Sequence, residues 1–254
     1  MIFAVDVGNT HIVIGLIHEG SIRNNWRICS DRRKTEDEYG HIFQFLLDRA
    51  GVSKESLEGG IIASVVPPLT PVLQRTMDIY LGIDPIVVGP GTKTGINIKY
   101  ENPKEVGPDR IANAVAAYNK YGGPVIVVDF GTATTFDAIS KDAEYLGGAI
   151  APGIMTATDA LFEKAARLPR IELVRPSHAV GKTTVESMQA GIIFGFAGQT
   201  DGLVRRIADE IGCVSQVVAT GGQAQLVASE SETITVVDPT LTLEGLDIIY
   251  HKNK

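Results

Sequence analysis

The chain has 254 residues, 44% of them hydrophobic, which is enough for one large or two modest cores. Its formal net charge of −7 argues against a nucleic-acid-binding protein, which would carry a basic stripe. Met1 leads directly into a predicted strand and no apolar run approaches the roughly 20 residues that span a bilayer, so we expect a cytoplasmic protein with no signal peptide and no membrane partner. Cys29 and Cys213 lack metal-site spacing and are expected to be reduced, partly buried thiols.

The first predicted element is a hairpin of two buried strands. A short apolar run ends at Asp6, residues 6–10 (DVGNT) form a turn, and a second apolar run follows. Residues 1–29 therefore predict three antiparallel strands. Asp6 ends a buried strand, where a carboxylate is costly unless it meets a cation or hydrogen-bond donors. The alternatives are that Asp6 only caps the turn and that His11, just past it, is a surface histidine.

The stretch that follows predicts strands alternating with helices, which is typical of an α/β layer architecture. Thr35 and Glu38 predict a capping box for a helix that Gly51 ends. Residues 61–66 predict a buried strand and residues 69–81 an amphipathic helix. We interpret the apolar stripe of the first of these helices as core and nothing more.

Residues 107–110 (GPDR) predict the start of a further helix after an irregular segment. Pro108 fits the first helical position, where its missing N–H is least needed, and this puts Asp109 and Arg110 in the first turn. The helix dipole favours Asp109 there without any functional role, but it opposes Arg110. Arg110 therefore indicates an anionic partner, such as a carboxylate bound through two N–H groups.

The strand–turn–strand pattern recurs in the second half of the chain. An apolar run over residues 125–128 precedes residues 129–135 (DFGTATT), where Gly131 is expected to permit a tight turn through a positive φ. A buried strand thus delivers the Asp129 carboxylate to a loop of amides and hydroxyls, which is what a nucleotide phosphate and its cation require. One copy alone is weak evidence, because Asp-x-Gly also makes ordinary hairpin turns. Two copies predict two similar domains with a cleft between them.

The remaining signals lie after the second hairpin. Thr183 or Thr184 is expected to cap a long helix. The Gly-Lys-Thr-Thr run that ends at Thr184 is not a P-loop, because Pro176 stands where a P-loop needs glycine. Residues 220–222 (TGG) end a predicted strand, either to admit a flat ligand such as adenine or to make a tight turn. Residues 241–249 predict a closing helix.

Together these motifs resemble a known family. The paired Asp-x-Gly-x-Thr hairpins are similar to the phosphate loops of the superfamily that joins acetate kinase, sugar kinases, heat-shock chaperones and actin. The motifs DVGNT, GPDR, DFGTATT and TGG, in this order along almost the whole chain, resemble type III pantothenate kinases. We therefore expect an α/β fold of two similar ribonuclease-H-like domains of the actin-like ATPase type, with an interdomain cleft. The expected domains are residues 1–113 and 114–240, with a helix over about 241–254 packed on the first.

The resemblance implies that ATP phosphorylates pantothenate to 4'-phosphopantothenate, the first step of coenzyme A biosynthesis. It implies Asp109 as the general base, Asp6 as a Mg²⁺ ligand and Asp129 as the site of a monovalent cation, K⁺ or NH₄⁺. Family members are homodimers. The implied contacts to ATP are Asp6, Val7, Gly8, Asn9, Thr10, His11, Ile12, Val13, Gly131 and Thr132, and those to pantothenate are Tyr100, Gly107, Pro108, Asp109, Arg110 and Thr184.

Two alternatives stay open. One is a kinase of the same superfamily that acts on a different small alcohol. The other is a non-catalytic relative that binds nucleotide and works through protein partners. The presence of Asp6, Asp109 and Asp129 disfavours the second alternative.

Overall fold

The computed structural model describes residues 1–212 and 214–254, so Cys213 lies outside the described residues. The strands are β1 (Ile2–Val7), β2 (His11–His18), β3 (Ser21–Cys29), β4 (Gly59–Ser64), β5 (Ile86–Val87), β6 (Asn97–Ile98), β7 (Val125–Phe130), β8 (Ala133–Ile139), β9 (Glu144–Pro152), β10 (Gln216–Thr220) and β11 (Val236–Val237). The helices are α1 (Glu36–Ala50), α2 (Thr70–Thr76), α3 (Pro108–Tyr121), α4 (Ile154–Lys164), α5 (Thr184–Ile211), α6 (Ala224–Ala228) and α7 (Leu241–Asn253).

The chain divides into two compact units, each built on one β-sheet, and the predicted α/β class is confirmed. None of the helices in the two described ranges is long and apolar enough to cross a membrane. Unit 1 comprises Met1–Ile96, Glu101–Ala116 and Thr240–Lys254, and unit 2 comprises Asn97–Tyr100 and Ala117–Pro239.

The sheet of unit 1 has the order β3-β2-β1-β4-β5. Strands β1 to β3 are antiparallel, as predicted, while β4 runs parallel to β1 and β5 parallel to β4. The alternating side chains of Phe3, Val5 and Val7 enter the hydrophobic core. Cys29 ends the edge strand β3 on its exposed face, so the prediction of a partly buried thiol there is wrong.

The helices of unit 1 begin and end as the sequence predicts. The N–H of Thr35 donates to the Glu38 carboxylate at 2.9 Å, which completes the capping box of α1, and Gly51 ends the helix in the left-handed conformation. The predicted helix over residues 69–81 is α2, continued by a π-helical segment at Met77–Leu81.

Helix α7 closes unit 1 through two close approaches. A Cβ atom on Gly15 would lie 2.9 Å from the Leu243 side chain, and one on Gly245 would lie 1.9 Å from the carbonyl oxygen of Ala112. These two glycines let the helix pack directly on β2 and α3. The predicted apolar face of the helix is buried at Leu241, Leu243, Leu246 and Ile249.

The sheet of unit 2 has the order β11-β10-β7-β8-β9-β6, with β8 antiparallel to both β7 and β9. Helix α5 covers part of its core. Of the two predicted caps of this helix, Thr183 is the N-cap, because its hydroxyl accepts the N–H of Glu186 at 3.2 Å. Thr184 is the first helical residue.

Candidate active site

The first predicted phosphate loop joins β1 to β2 in unit 1. The N–H of Gly8 donates to the carbonyl oxygen of His11 at 2.9 Å and so closes the hairpin. A Cβ atom on Gly8 would lie 3.0 Å from that same oxygen, so there is little room for a side chain. Asp6 is half-buried at the end of β1, while Asn9, Thr10 and His11 are exposed. Because the Gly8 amide is used inside the hairpin, the glycine serves here by letting the backbone turn tightly.

Three flanking residues of this loop have different surroundings. The side chains of Val7 and Ile12 are fully buried in the core of unit 1, so only their backbone atoms could contact a nucleotide. Val13 points to the other face of β2 and is half-buried.

Arg32 is a candidate that sequence reasoning missed. Its Nη2 atom donates to the Asn9 side-chain oxygen at 3.1 Å, and this places an exposed positive charge beside the first loop. Arg33 pairs instead with Asp31, at 3.1 Å. The run Arg-Arg-Lys at residues 32–34 was the available signal, but the pattern alone does not say which of the three faces the loop.

The start of α3 lies next to the first loop, within the same unit. The N–H of Val65, just after β4, donates to the carbonyl oxygen of Val7 at 3.0 Å. A Cβ atom on Gly107 would lie 3.5 Å from Val65 Cγ1 and 2.4 Å from Asp109 Oδ1. The structure therefore brings GPDR to the end of the sheet that carries Asp6.

Pro108 begins α3, as predicted. The half-buried Asp109 turns back so that its Oδ1 atom accepts the N–H of Arg110 at 2.8 Å. Arg110 is only 8% exposed. A buried guanidinium needs hydrogen-bonded partners, so it is held in place rather than free to move in solvent.

The second predicted loop joins β7 to β8 in unit 2. The N–H of Gly131 donates to the carbonyl oxygen of Ala133 at 3.1 Å. The prediction of a positive φ at Gly131 is wrong, since this hydrogen bond closes the turn without one; the positive φ of this region is found at Gly221, at 92°. Asp129 is half-buried, and Gly131 and Thr132 are exposed.

Two other segments of unit 2 support this loop. The N–H of Gly153 and the hydroxyl of Thr156, at the start of α4, both donate to the carbonyl oxygen of Thr132, at 3.1 and 2.8 Å. On the other side, a Cβ atom on Gly221 would lie 2.6 Å from Asp129 Oδ1. The structure thus brings TGG to the second loop, as a binding role for it requires.

The predicted pantothenate contacts are divided between the units. Gly107, Pro108, Asp109 and Arg110 belong to unit 1, whereas Tyr100 and Thr184 belong to unit 2. Tyr100 is half-buried and follows β6, and Thr184 is exposed. Their roles stay predictions.

The residues present are compatible with the implied cations. No group of three His, Cys, Asp or Glu side chains that could hold a metal ion occurs in residues 1–212 or 214–254. A Mg²⁺ ion next to a nucleotide needs only one or two carboxylates in addition to phosphate oxygens and water. Asp6 and Asp129 each supply one carboxylate beside a loop, so this donor set fits.

Solved structures share the fold at low sequence identity. A Campylobacter jejuni protein described as a Baf family transcriptional activator has a TM-score of 0.60 and 21% identity, over 99% of this chain and 98% of its own. Component A of the (R)-2-hydroxyglutaryl-CoA dehydratase of Acidaminococcus fermentans has a TM-score of 0.59 and 16% identity, over 100% of both chains. A Porphyromonas gingivalis protein described as an N-acetylglucosamine kinase has a TM-score of 0.52 and 15% identity, over 100% of this chain and 99% of its own.

Sequence comparison is more specific than these structural likenesses. A family model described as type III pantothenate kinase matches residues 2–206, which is most of the chain and includes the two hairpins and GPDR. The chain is therefore a kinase and belongs to the type III pantothenate kinase family.

Proposed function

We propose that the chain transfers the γ-phosphoryl group of ATP to the primary hydroxyl of pantothenate, with Asp109 as the general base. The observation that carries this proposal is the placement of Asp109 beside the first loop, through Val65, within one unit. Family membership supports pantothenate as the acceptor and coenzyme A biosynthesis as the pathway.

Phosphoryl transfer requires that the acceptor hydroxyl and the γ-phosphate are aligned and that the charge on the transferred group is stabilised. Asp109 accepts the hydroxyl proton, and a positioned base contributes about 10²- to 10⁴-fold to the rate. Arg110 binds the carboxylate of pantothenate, because its guanidinium is held at the same helix start. Tyr100, Gly107 and Thr184 complete the acceptor site.

ATP is held by the first loop and by Gly131 and Thr132 of the second. Two loop carboxylates near a polyphosphate would repel it unless cations intervene. We therefore assign Mg²⁺ to Asp6 and a monovalent cation, K⁺ or NH₄⁺, to Asp129. When bound, these cations neutralise phosphate charge. This requires the two units to act as two ribonuclease-H-like domains whose loops face one cleft, and this arrangement is part of the proposal.

We also propose a homodimer. Exposed apolar side chains in unit 2 support it: Ile150 is 64% exposed, Met155 47% and Leu161 42%. Light scattering at the assay concentration should give twice the mass of one chain, and the mass of a single chain would rule the dimer out.

The test is ADP release from ATP, with magnesium and potassium, for pantothenate and a panel of other small alcohols. Wild type should turn over with pantothenate, and Asp109→Asn should lose about 10²- to 10⁴-fold in kcat. The exposed Asp84 supplies a matched control, since Asp84→Asn should behave as wild type. Turnover with another alcohol only would indicate a different kinase. ATP binding without any turnover would indicate a non-catalytic relative, and a folded, active Asp109→Asn would remove the base assignment.

A further inference from the structure

The ring of Tyr100 lies against strand β9, next to Tyr145 and Gly147. The backbone of its segment is fixed there, because the N–H of Lys99 donates to the carbonyl oxygen of Tyr145 at 2.9 Å. The rings of Tyr100 and Tyr145 lie 6.3 Å apart, centroid to centroid, at 58°. Gly147, with a φ of 120°, lies directly next to this ring, because a Cβ atom on it would be 3.4 Å from Tyr100 Cε2.

Tyr145 is held in place by a carboxylate that the proposed mechanism does not use. Asp137 on β8 is fully buried. Its Oδ1 atom accepts the hydroxyl of Tyr145 at 2.6 Å, and its Oδ2 atom accepts the hydroxyl of Thr135 at 3.2 Å. A buried carboxylate is costly unless it is hydrogen-bonded, so these bonds hold the Tyr145 ring in one orientation.

An irregularity in the sheet brings these groups together. Ala138 pairs with Gly147 but Ile139 pairs with Tyr145, so one extra residue of β9 is bulged out. Side chains alternate between faces, and the bulge therefore moves Tyr145 to the face that carries Asp137. Asp129 lies on that face too, because it pairs with Thr135.

We propose that Asp137, Tyr145 and Gly147 are positioning residues that hold the Tyr100 ring where pantothenate packs against it. This inference rests on the proposed function. Tyr145 is buried next to Tyr100, and the buried Asp137 holds Tyr145, so both residues act on the substrate through Tyr100. They set the affinity for the acceptor and leave phosphoryl transfer from ATP unchanged.

The test compares the kinetics of Tyr145→Phe with those of wild type, with pantothenate varied at saturating ATP and then the reverse. The variant keeps the ring and loses only the hydroxyl, so the KM for pantothenate should rise about five- to tenfold. The kcat and the KM for ATP should stay within about twofold. Tyr118→Phe is the matched control, since Tyr118 donates its hydroxyl to the Lys141 carbonyl oxygen at 3.0 Å in the same unit.

A double-mutant cycle distinguishes a positioning role of Tyr145 from a general loss of structure. In a Tyr100→Ala background, Tyr145→Phe should have no further effect on the KM for pantothenate, because the group through which it acts is gone. Thr135→Val, which removes a further hydroxyl that donates to Asp137 and is close in shape, should also raise this KM. It replaces Tyr145→Phe in the test if that variant does not fold.

An unchanged KM in Tyr145→Phe, or the same increase with Tyr100 absent, would overturn the inference while wild type still phosphorylates pantothenate. Wild type that fails to phosphorylate pantothenate would overturn the proposed function, and the inference with it.

Discussion

The carboxylate of Asp129 and the α-carbon of Gly221 lie so close together that a Cβ atom on the glycine would come within 2.6 Å of Asp129 Oδ1. It would also come within 2.7 Å of backbone atoms of Phe130, which cannot move aside as a side chain can. Gly221 has a φ of 92°, a conformation that residues with a side chain resist. The turn after β10 therefore packs so closely against the second loop that only glycine leaves room at position 221.

Gly221→Ala should damage both stability and activity. The strained backbone costs about 1–2 kcal/mol, and displacement of the Asp129 carboxylate should lower kcat at least about tenfold. Thermal unfolding and ADP release measure the two effects. Gly89→Ala is the control, because a Cβ atom there meets nothing within 4 Å. A Gly221→Ala protein with normal Tm and normal kcat would show that the close fit is irrelevant.

Arg32→Ala should raise the KM for ATP about threefold, with the KM for pantothenate unchanged, because Arg32 places a positive charge beside the first loop through Asn9. The effect is small since the side chain is exposed, and it should shrink further at high salt. Arg33→Ala is the control, as Arg33 pairs with Asp31 instead. Equal effects of the two variants would mean that only the overall charge matters.

Asp201 should be a stabilising carboxylate at neutral pH. Burial raises its pKa, but the hydroxyls of Ser231 and Thr233 and the amides of Glu232 and Thr233 outweigh this, and the pKa lies below its ordinary value. Its contribution is therefore complete above the unfolded pKa of about 4 and is lost as pH falls through the lower folded value. Asp201→Ala should cost about 2–3 kcal/mol at pH 7. Urea unfolding should show this cost shrinking below about pH 4, and a cost that does not depend on pH would contradict it.

Asp247 should have the opposite effect on stability. Burial in α7 raises its pKa, the nearby His251 lowers it only in part, and Oδ1 has no hydrogen-bond partner among the described residues. The ionised form is thus penalised in the folded state, and the penalty fades as pH falls toward the unfolded pKa of about 4. Asp247→Asn should therefore raise the free energy of unfolding by about 1 kcal/mol near pH 8 and by less near pH 5. A loss of stability at pH 8 would refute this.

Much of the fold could be predicted because its signals are local. The capping box at Thr35, Pro108 at the first position of α3 and the two hairpins each depend on a few neighbouring residues, and the structure confirms them. Helix α5 continues to Ile211 despite the low helix propensity of its several glycines, because its apolar face is buried in the core of unit 2.

Contacts between segments that are distant in the sequence could not be predicted from the sequence. Which glycine needs a positive φ, Gly131 or Gly221, depends on how β10 meets β7. The bond between Tyr145 and Asp137 depends on a one-residue bulge, which reverses the alternation that a pattern assumes. Arg32 meets Asn9 only because β3 returns along the sheet to the first loop.

If both hairpins hold one nucleotide, Asp6→Asn and Asp129→Asn should each weaken the binding of ATP. Calorimetry with magnesium and potassium present should give one ATP per chain for wild type and an affinity weakened at least about tenfold in each single variant. If either variant binds ATP with the affinity of wild type, the two loops do not share a nucleotide.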